Sequence, residues 1–166
     1  MERTRILSAS EMEIKTERIA LEILEDSHTE PILYLVGIMP NGKQFAEDLI
    51  RHIKKEIPTI ECVLITASAA HKNSSDAEIS FSMPLENIRN HHVVLIDDVL
   101  NSGKTMAAVL KEIVQQAPKQ VKTAVMVERA HKNFPIHADY RGLSVNTNLQ
   151  NHIEVEMQGE KSAWLL

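Results

Sequence analysis

The residues best suited to chemistry lie in one run, VVLIDDVLNSGKT, at positions 93–105. Asp97 and Asp98 follow an apolar stretch. Asn101, Ser102, Gly103, Lys104 and Thr105 come next and lead into an amphipathic segment. The start of a helix presents amide N–H groups without intrahelical partners and the positive end of its dipole, which suits a phosphate. Gly103 lets the backbone approach a ligand closely, and Ser102 and Thr105 add hydroxyl donors. Two carboxylates beside such a site repel phosphate, but they accept hydrogen bonds from vicinal hydroxyls and bind Mg2+ directly or through water. A phosphate, a diol and a metal together describe a ribose 5-phosphate. The simpler alternative is that the acids only end a strand and that Asn101 or Ser102 caps a helix. A Walker A loop is a further rival, because GKT closes that motif. It requires a glycine five residues before Gly103, where Asp98 stands, and a carboxylate there would oppose the β- and γ-phosphates.

The elements that must position these residues follow from hydrophobic periodicity. A helix is predicted over 10–26, opened by a capping box of Ser10 and Glu13, with Met12, Thr16, Ile19, Ala20, Ile23 and Leu24 on one face. Buried strands are predicted at 32–37, 62–66, 92–97 and 123–128. A second helix over 41–57 faces Phe45, Ala46, Leu49, Ile50 and Ile53 inward. A third begins near Gly103 and faces Met106, Val109, Leu110, Ile113 and Val114 inward. Residues 67–78 are small, polar and aperiodic, and are predicted to form a mobile loop. Short strands are predicted near 79–83, 153–157 and 163–166. Strands alternating with amphipathic helices imply an α/β fold, with a mostly parallel twisted sheet flanked by helices. Ligands of such sheets bind beyond the carboxyl ends of the strands, here near Gly37, Thr66, Asp97 and Glu128.

Composition narrows the class. The 166 residues suffice for one domain with a sizeable core. One Trp, two Tyr and three Phe leave that core to Ile, Leu, Val, Ala and Met. A net charge of −5 argues against a general nucleic-acid binder. The single cysteine, Cys62, excludes an internal disulfide and a cysteine-based zinc cluster, and its place in an apolar run predicts a buried, inert thiol. No apolar stretch reaches the ~20 residues of a membrane span, and the N-terminal residues lack the apolar run of a secretory signal. A soluble, cytoplasmic protein without a membrane partner is expected. His91 and His92 open a strand and point to opposite faces, so they do not form a joint metal site.

The run at 93–105 resembles the phosphoribosyl pyrophosphate motif of type I phosphoribosyltransferases. MVERAHKNFPIHADYRG (126–142) and LVGIMPNG (35–42) resemble stretches of the PyrR family, bifunctional pyrimidine-operon regulators and uracil phosphoribosyltransferases. The resemblance spans roughly residues 6–158. It implies a single phosphoribosyltransferase domain over 1–166, with a small hood built from the C-terminal segment. It implies that Asp97 and Asp98 hold the ribose and Mg2+, and that 101–105 hold the 5-phosphate. It places Pro40, Asn41 and Gly42 in the pyrophosphate loop, Asn101 near the reacting sugar carbon, and Arg129 and His131 at the base. Residues 67–78 would close over the site. Four departures accompany it. Asn101 stands where the family has a loop Asp, Ser102 where it has Thr, and Asn41 where it has Arg. The family's Tyr-Arg pair is replaced around Ser68–Ala70 and His71, with Lys72 as a possible substitute cation. These changes imply either weak affinity for phosphoribosyl pyrophosphate or a rearranged loop.

The expected activity is transfer of a phosphoribosyl group to a nucleobase, with uracil as first candidate and pyrophosphate as leaving product. The competing expectation is a weakly catalytic or non-catalytic nucleotide sensor that regulates pyrimidine genes by binding RNA. The scattered basic pairs Arg3 and Arg5, Lys54-Lys55, and Lys119 with Lys122 disfavour RNA. A homodimer or higher homo-oligomer is implied by the family alone.

Overall fold

A computed structural model describes residues 3–71, 77–146 and 152–166. Among these residues, six strands form a central sheet: β2 (Ile32–Ile38), β3 (Glu61–His71), β4 (Ala77–Phe81), β5 (His92–Leu100), β6 (Gln120–Arg129) and β7 (Tyr140–Val145). Their order is β4-β3-β2-β5-β6-β7. All neighbours pair in parallel except β4, which runs antiparallel on the β3 edge. A second, antiparallel sheet joins β1 (Thr4–Leu7), β9 (Ser162–Leu165) and β8 (Ile153–Glu156) in the order β1-β9-β8. This is the hood. It draws a strand from the N-terminal segment as well as two from the C-terminal one.

Three helices cover the central sheet: α1 (Ala9–Ser27), α2 (Asn41–Glu56) and α3 (Lys104–Val114). Strand alternation divides the core between two faces. Leu33, Leu35, Val94, Ile96, Ala124 and Met126 pack with the inner stripes of α1 and α2, which include Met12, Ile19, Phe45 and Leu49. Val36, Val93, Leu95 and Val125 pack on the other face with Met106, Val109 and Ile113 of α3. Each such side chain, taken fully from water, contributes about 1.5–3 kcal/mol before entropy is counted.

Several expectations are corrected. The capping box of α1 uses Ser8 and Glu11, with Ser8 N donating to Glu11 Oε2 at 2.8 Å. Glu13 instead accepts from Arg51 and contacts His52. Val114 is 57% exposed, at the residue where α3 ends. Cys62 is half-buried rather than buried, and burial raises its thiol pKa. Of the predicted mobile loop, 67–71 and 77–78 are strand, and 72–76 lie outside the described residues. β3 continues through Ser68, Ala69 and Ala70 to His71, and residues 77–78 belong to β4, paired Ala67↔Phe81 through His71↔Ala77. Small side chains hid the pattern, and the backbone ladder holds these residues without it. Lys72 lies outside the described residues. β5 does not end at Asp97 but runs on to Leu100. Among the described residues, no helix is long and apolar enough to cross a membrane.

Candidate active site

The order of strands reverses between β2 and β5, since β2 leads outward to β3 and β5 leads outward to β6. Crevices at such reversals, beyond the carboxyl ends of the strands, bind ligands in α/β sheets. The β2–β5 ladder ends at Gly37↔Ile96, while β5 stays paired with β6 through Leu100↔Glu128. β2 therefore turns away just before Asp97 and Asp98, which opens a gap beside the acidic pair.

Alternation sends the two acids in different directions. Asp97 continues the Val93 and Leu95 side and lines a cavity of ≈ 60 Å³ with Asn101, Ser102, Gly103 and Thr105. Asp98 faces the α2 side, where Asn41 Nδ2 donates to its Oδ2 at 2.8 Å. The backbone locks both carboxyls: Asp98 N donates to Asp97 Oδ1 at 2.9 Å, and Val99 N to Asp98 Oδ1 at 2.8 Å. Burial pushes the Asp97 carboxyl well above the usual range, and the neighbouring Asp98 charge adds to the rise.

The turn after β5 starts α3 without a side-chain cap. Gly103 takes φ 83°, a left-handed conformation unfavourable to residues with a Cβ, and Lys104 N donates to Ser102 Oγ at 3.2 Å. The simpler alternative, in which Asn101 or Ser102 caps the helix, gives way to Gly103 in that position. Thr105 and Met106 of the first turn of α3 line the cavity together with Asn101, Ser102 and Gly103. The loop after β6 braces this turn. Phe134 N donates to Ser102 O at 3.1 Å, and a Cβ on Gly103 would meet Phe134 Cβ at 3.3 Å.

Across the gap, the loop after β2 contains a cis peptide between Met39 and Pro40 and passes directly into α2. Gly42 packs against β5 so closely that a Cβ there would lie 2.5 Å from Ile96 O. That contact seats the first turn of α2 beside the acids.

These features form one constellation: an uncapped helix start, a carboxyl facing it, a second carboxyl on the opposite side, and a glycine-packed loop across a strand-order reversal. The phosphoribosyl transferase domain family matches residues 2–160. The chain belongs to the phosphoribosyltransferase family. It is 32% identical to a Bifunctional protein PyrR of Corynebacterium diphtheriae, covering 90% of this chain and 84% of that one. It is 31% identical to another of Streptococcus thermophilus, covering 98% and 96%. A hypoxanthine phosphoribosyltransferase of Trypanosoma cruzi, complexed with the product IMP, superposes with a TM-score of 0.83 at 15% identity, over 99% of this chain and 90% of that one. A hypoxanthine-guanine phosphoribosyltransferase of Bacillus anthracis gives a TM-score of 0.76 at 21% identity, over 90% and 86%. These structures share the fold, and the sequence relatives place the resemblance to PyrR proteins on nearly the full length.

In this chain, Asp97, Asn101, Ser102, Gly103 and Thr105 share one cavity, and Asp98 contacts Asn41 beside it. Lys104 is exposed on the first turn of α3. Arg129 is the buried last residue of β6, and His131 is exposed just after it. Sequence reasoning missed the support beneath them. Glu128, 2% exposed, accepts from Lys132 Nζ at 2.7 Å, Ala138 N at 3.2 Å and Arg141 at 3.1 Å. Burial pushes its carboxyl up, but these bonds and the Lys132 and Arg141 charges outweigh that and leave it below the usual range. The anchor fixes the loop at 130–139 over the end of β6. Its sequence signal was an acid ending an apolar strand with a Lys four residues on. A larger cavity, ≈ 560 Å³, opens between the hood and the start of α1 among Arg3, Arg5, Ser8, Lys161 and Trp164, and contains none of the expected site residues.

Proposed function

We propose that this protein transfers the phosphoribosyl group of phosphoribosyl pyrophosphate to a nucleobase, with uracil the first candidate, and that 1–166 acts as one phosphoribosyltransferase domain. The observation that carries this reading is the cavity that Asp97 lines with the start of α3 at the β2/β5 reversal, with Asp98 next in the chain and bonded to Asn41. Asn101, Ser102, Gly103, Lys104 and Thr105 receive the 5-phosphate through amides and hydroxyls. Asp98 and Asp97 receive the ribose hydroxyls. Pro40, Asn41 and Gly42 face the pyrophosphate, and Arg129 and His131 stand on the base side, with the loop at 130–139 as its wall.

Two adjacent carboxylates suit Mg2+, which takes oxygen ligands and commonly shares them with substrate phosphates. Among the described residues, no group of three or more acidic, His or Cys side chains converges to hold a metal; Asp97 and Asp98 would offer oxygen donors to a cation that the substrate phosphates also bind. When bound, Mg2+ neutralises charge on the leaving pyrophosphate. The chain's own contribution is alignment. It holds the sugar phosphate at one end and the diol at the other, so that the anomeric carbon faces the base as the leaving group departs. Asn101, near that carbon, donates or accepts hydrogen bonds but does not act as a base.

A second reading, a cytoplasmic nucleotide-sensing regulator that binds pyrimidine-gene RNA as a homodimer, is favoured by Asn101 and Asn41 in place of charged residues. Its basic surface is weak. Arg3 pairs with Glu154, Lys119 with Glu30 and Lys122 with Asp139. The test incubates the protein with phosphoribosyl pyrophosphate, Mg2+ and a panel of bases, and measures pyrophosphate release. Base-dependent release that is lost in Asp97→Asn/Asp98→Asn supports transfer. Binding without release under any base supports the sensor.

A further inference from the structure

Asn41 makes two hydrogen bonds with one nitrogen. Its Nδ2 donates to Asp98 Oδ2 at 2.8 Å and to Val155 O at 3.1 Å. An amide nitrogen carries two hydrogens, so both are spent. The two acceptors belong to different parts of the molecule. Asp98 lies on β5 at the acidic pair, and Val155 lies on β8, the edge strand of the hood. Asn41 itself opens α2 and ends the loop after β2. One side chain therefore joins the loop, the acidic pair and the hood. Among the described residues, the hood has few other polar ties to this region. Lys161 Nζ on Asp48 Oδ2, at 2.5 Å, anchors its other end to the same helix. Val155 itself is buried against the α1–α2 side of the core.

We infer that Asn41 is a positioning residue: it fixes the Asp98 carboxylate for the ribose hydroxyls and latches the hood over the site through Val155. Carboxylate oxygens hold more than one lone pair, so Asp98 Oδ2 accepts a ribose hydroxyl while Asn41 stays in place. Diol binding and hood closure then depend on the same amide. The consequence for the pyrophosphate side is specific. With both Nδ2 hydrogens engaged, the Asn41 side chain has no donor left for a pyrophosphate. Its part at this position is to organise the site rather than to grip that group. The ribose half of the inference rests on the proposed function, and the hood half does not.

The test uses full-length wild type, Asn41→Ala and Asn41→Asp. Hydrogen exchange of the free proteins at neutral pH reads the latch. Both variants should exchange the amides at 153–157 about five-fold faster, as expected for loss of one hydrogen bond. Amides of β2 at 32–38 should exchange unchanged, which shows that the fold is intact. Equal exchange at 153–157 in all three proteins overturns the latch. Calorimetry with phosphoribosyl pyrophosphate and Mg2+ reads the positioning of Asp98. Affinity should fall about tenfold in Asn41→Ala, and further in Asn41→Asp, where like charges meet. Wild-type affinity in both variants overturns the positioning role. If the wild type binds no phosphoribosyl pyrophosphate, the functional reading fails, and the exchange result alone decides the latch.

Discussion

The backbone amide of Asp98 donates to Oδ1 of Asp97 at 2.9 Å, so the second acid of the pair orients the carboxyl of the first. The two residues are adjacent, yet their side chains serve opposite faces of β5. Asp97 faces the start of α3, and Asp98 faces Asn41 and the hood. Burial raises the Asp97 carboxyl most, with the Asp98 charge adding to it.

This raised value makes Asp97 a liability for stability at neutral pH. The folded protein holds this proton more tightly than the unfolded chain, so it binds more protons between the unfolded pKa, near 3.8, and the folded one. Stability from this group is fully present below the unfolded value and is lost as pH rises through the folded value. Asp97→Asn keeps an acceptor for Asp98 N and removes the charge. It should raise Tm by about 3 °C near pH 8 and by little near pH 4. Thermal melts across that range check it, and an equal effect at both ends contradicts it.

Gly42 sets how close α2 comes to β5. A Cβ there would lie 2.5 Å from Ile96 O and 3.1 Å from the Asp97 Cα, both backbone atoms that cannot swing aside. Gly42→Ala should destabilise the protein by about 2–3 kcal/mol in urea unfolding. At Gly159 the backbone is also left-handed, at φ 66°, but a Cβ there would meet no atom within 4 Å, so Gly159→Ala should cost only about 1 kcal/mol. Equal costs would mean that the close approach at Gly42 is not what matters.

Glu128 and Lys132 form a pair in which each side chain is 3% exposed. Glu128→Ala leaves the ammonium buried without its carboxylate and should cost about 3 kcal/mol. The folded pKa of Glu128 lies below its ordinary value, so its stabilising effect is present above the unfolded pKa and is lost as pH falls through the folded one. The difference in Tm between wild type and Glu128→Ala should therefore shrink in acid. A pH-independent difference would mean that packing, rather than charge, carries the effect.

Asn101 lines the cavity beside Asp97 and Gly103, at the position where the resemblance leads one to expect Asp. If the remaining site is competent, Asn101→Asp should raise kcat for pyrophosphate release by about tenfold or more, with KM for phosphoribosyl pyrophosphate changed little. A fall in kcat would show that this chain uses Asn101 in a way its relatives' residue cannot replace.

Much of the fold was legible because the decisive signals are local. The apolar runs of β2, β5 and β6 and the stripes Met12–Ile19–Ile23 and Phe45–Leu49–Ile53 are buried where periodicity puts them. The turn between β5 and α3 was legible because Gly103 takes a left-handed backbone conformation that favours glycine. Other elements depend on distant partners. β1 is defined by pairing with β9, at the opposite end of the chain, and four residues of TRIL carry no pattern of their own. Ser8–Glu11 and Ser10–Glu13 fit the same capping spacing, and the choice falls to Ser8 because Glu13 is claimed by Arg51 and His52 of α2. Asn41 was marked for the pyrophosphate loop by resemblance. Its link to Val155 spans 114 positions, and no local pattern encodes it.

The central claim is that the acidic pair and the start of α3 bind the ribose 5-phosphate part of phosphoribosyl pyrophosphate. Calorimetry of phosphoribosyl pyrophosphate with Mg2+, on wild type and Asp97→Asn/Asp98→Asn, tests it most directly. The account predicts saturable binding to the wild type and a loss of about a hundredfold or more in the double variant. No binding to the wild type, or equal binding to both proteins, would contradict it.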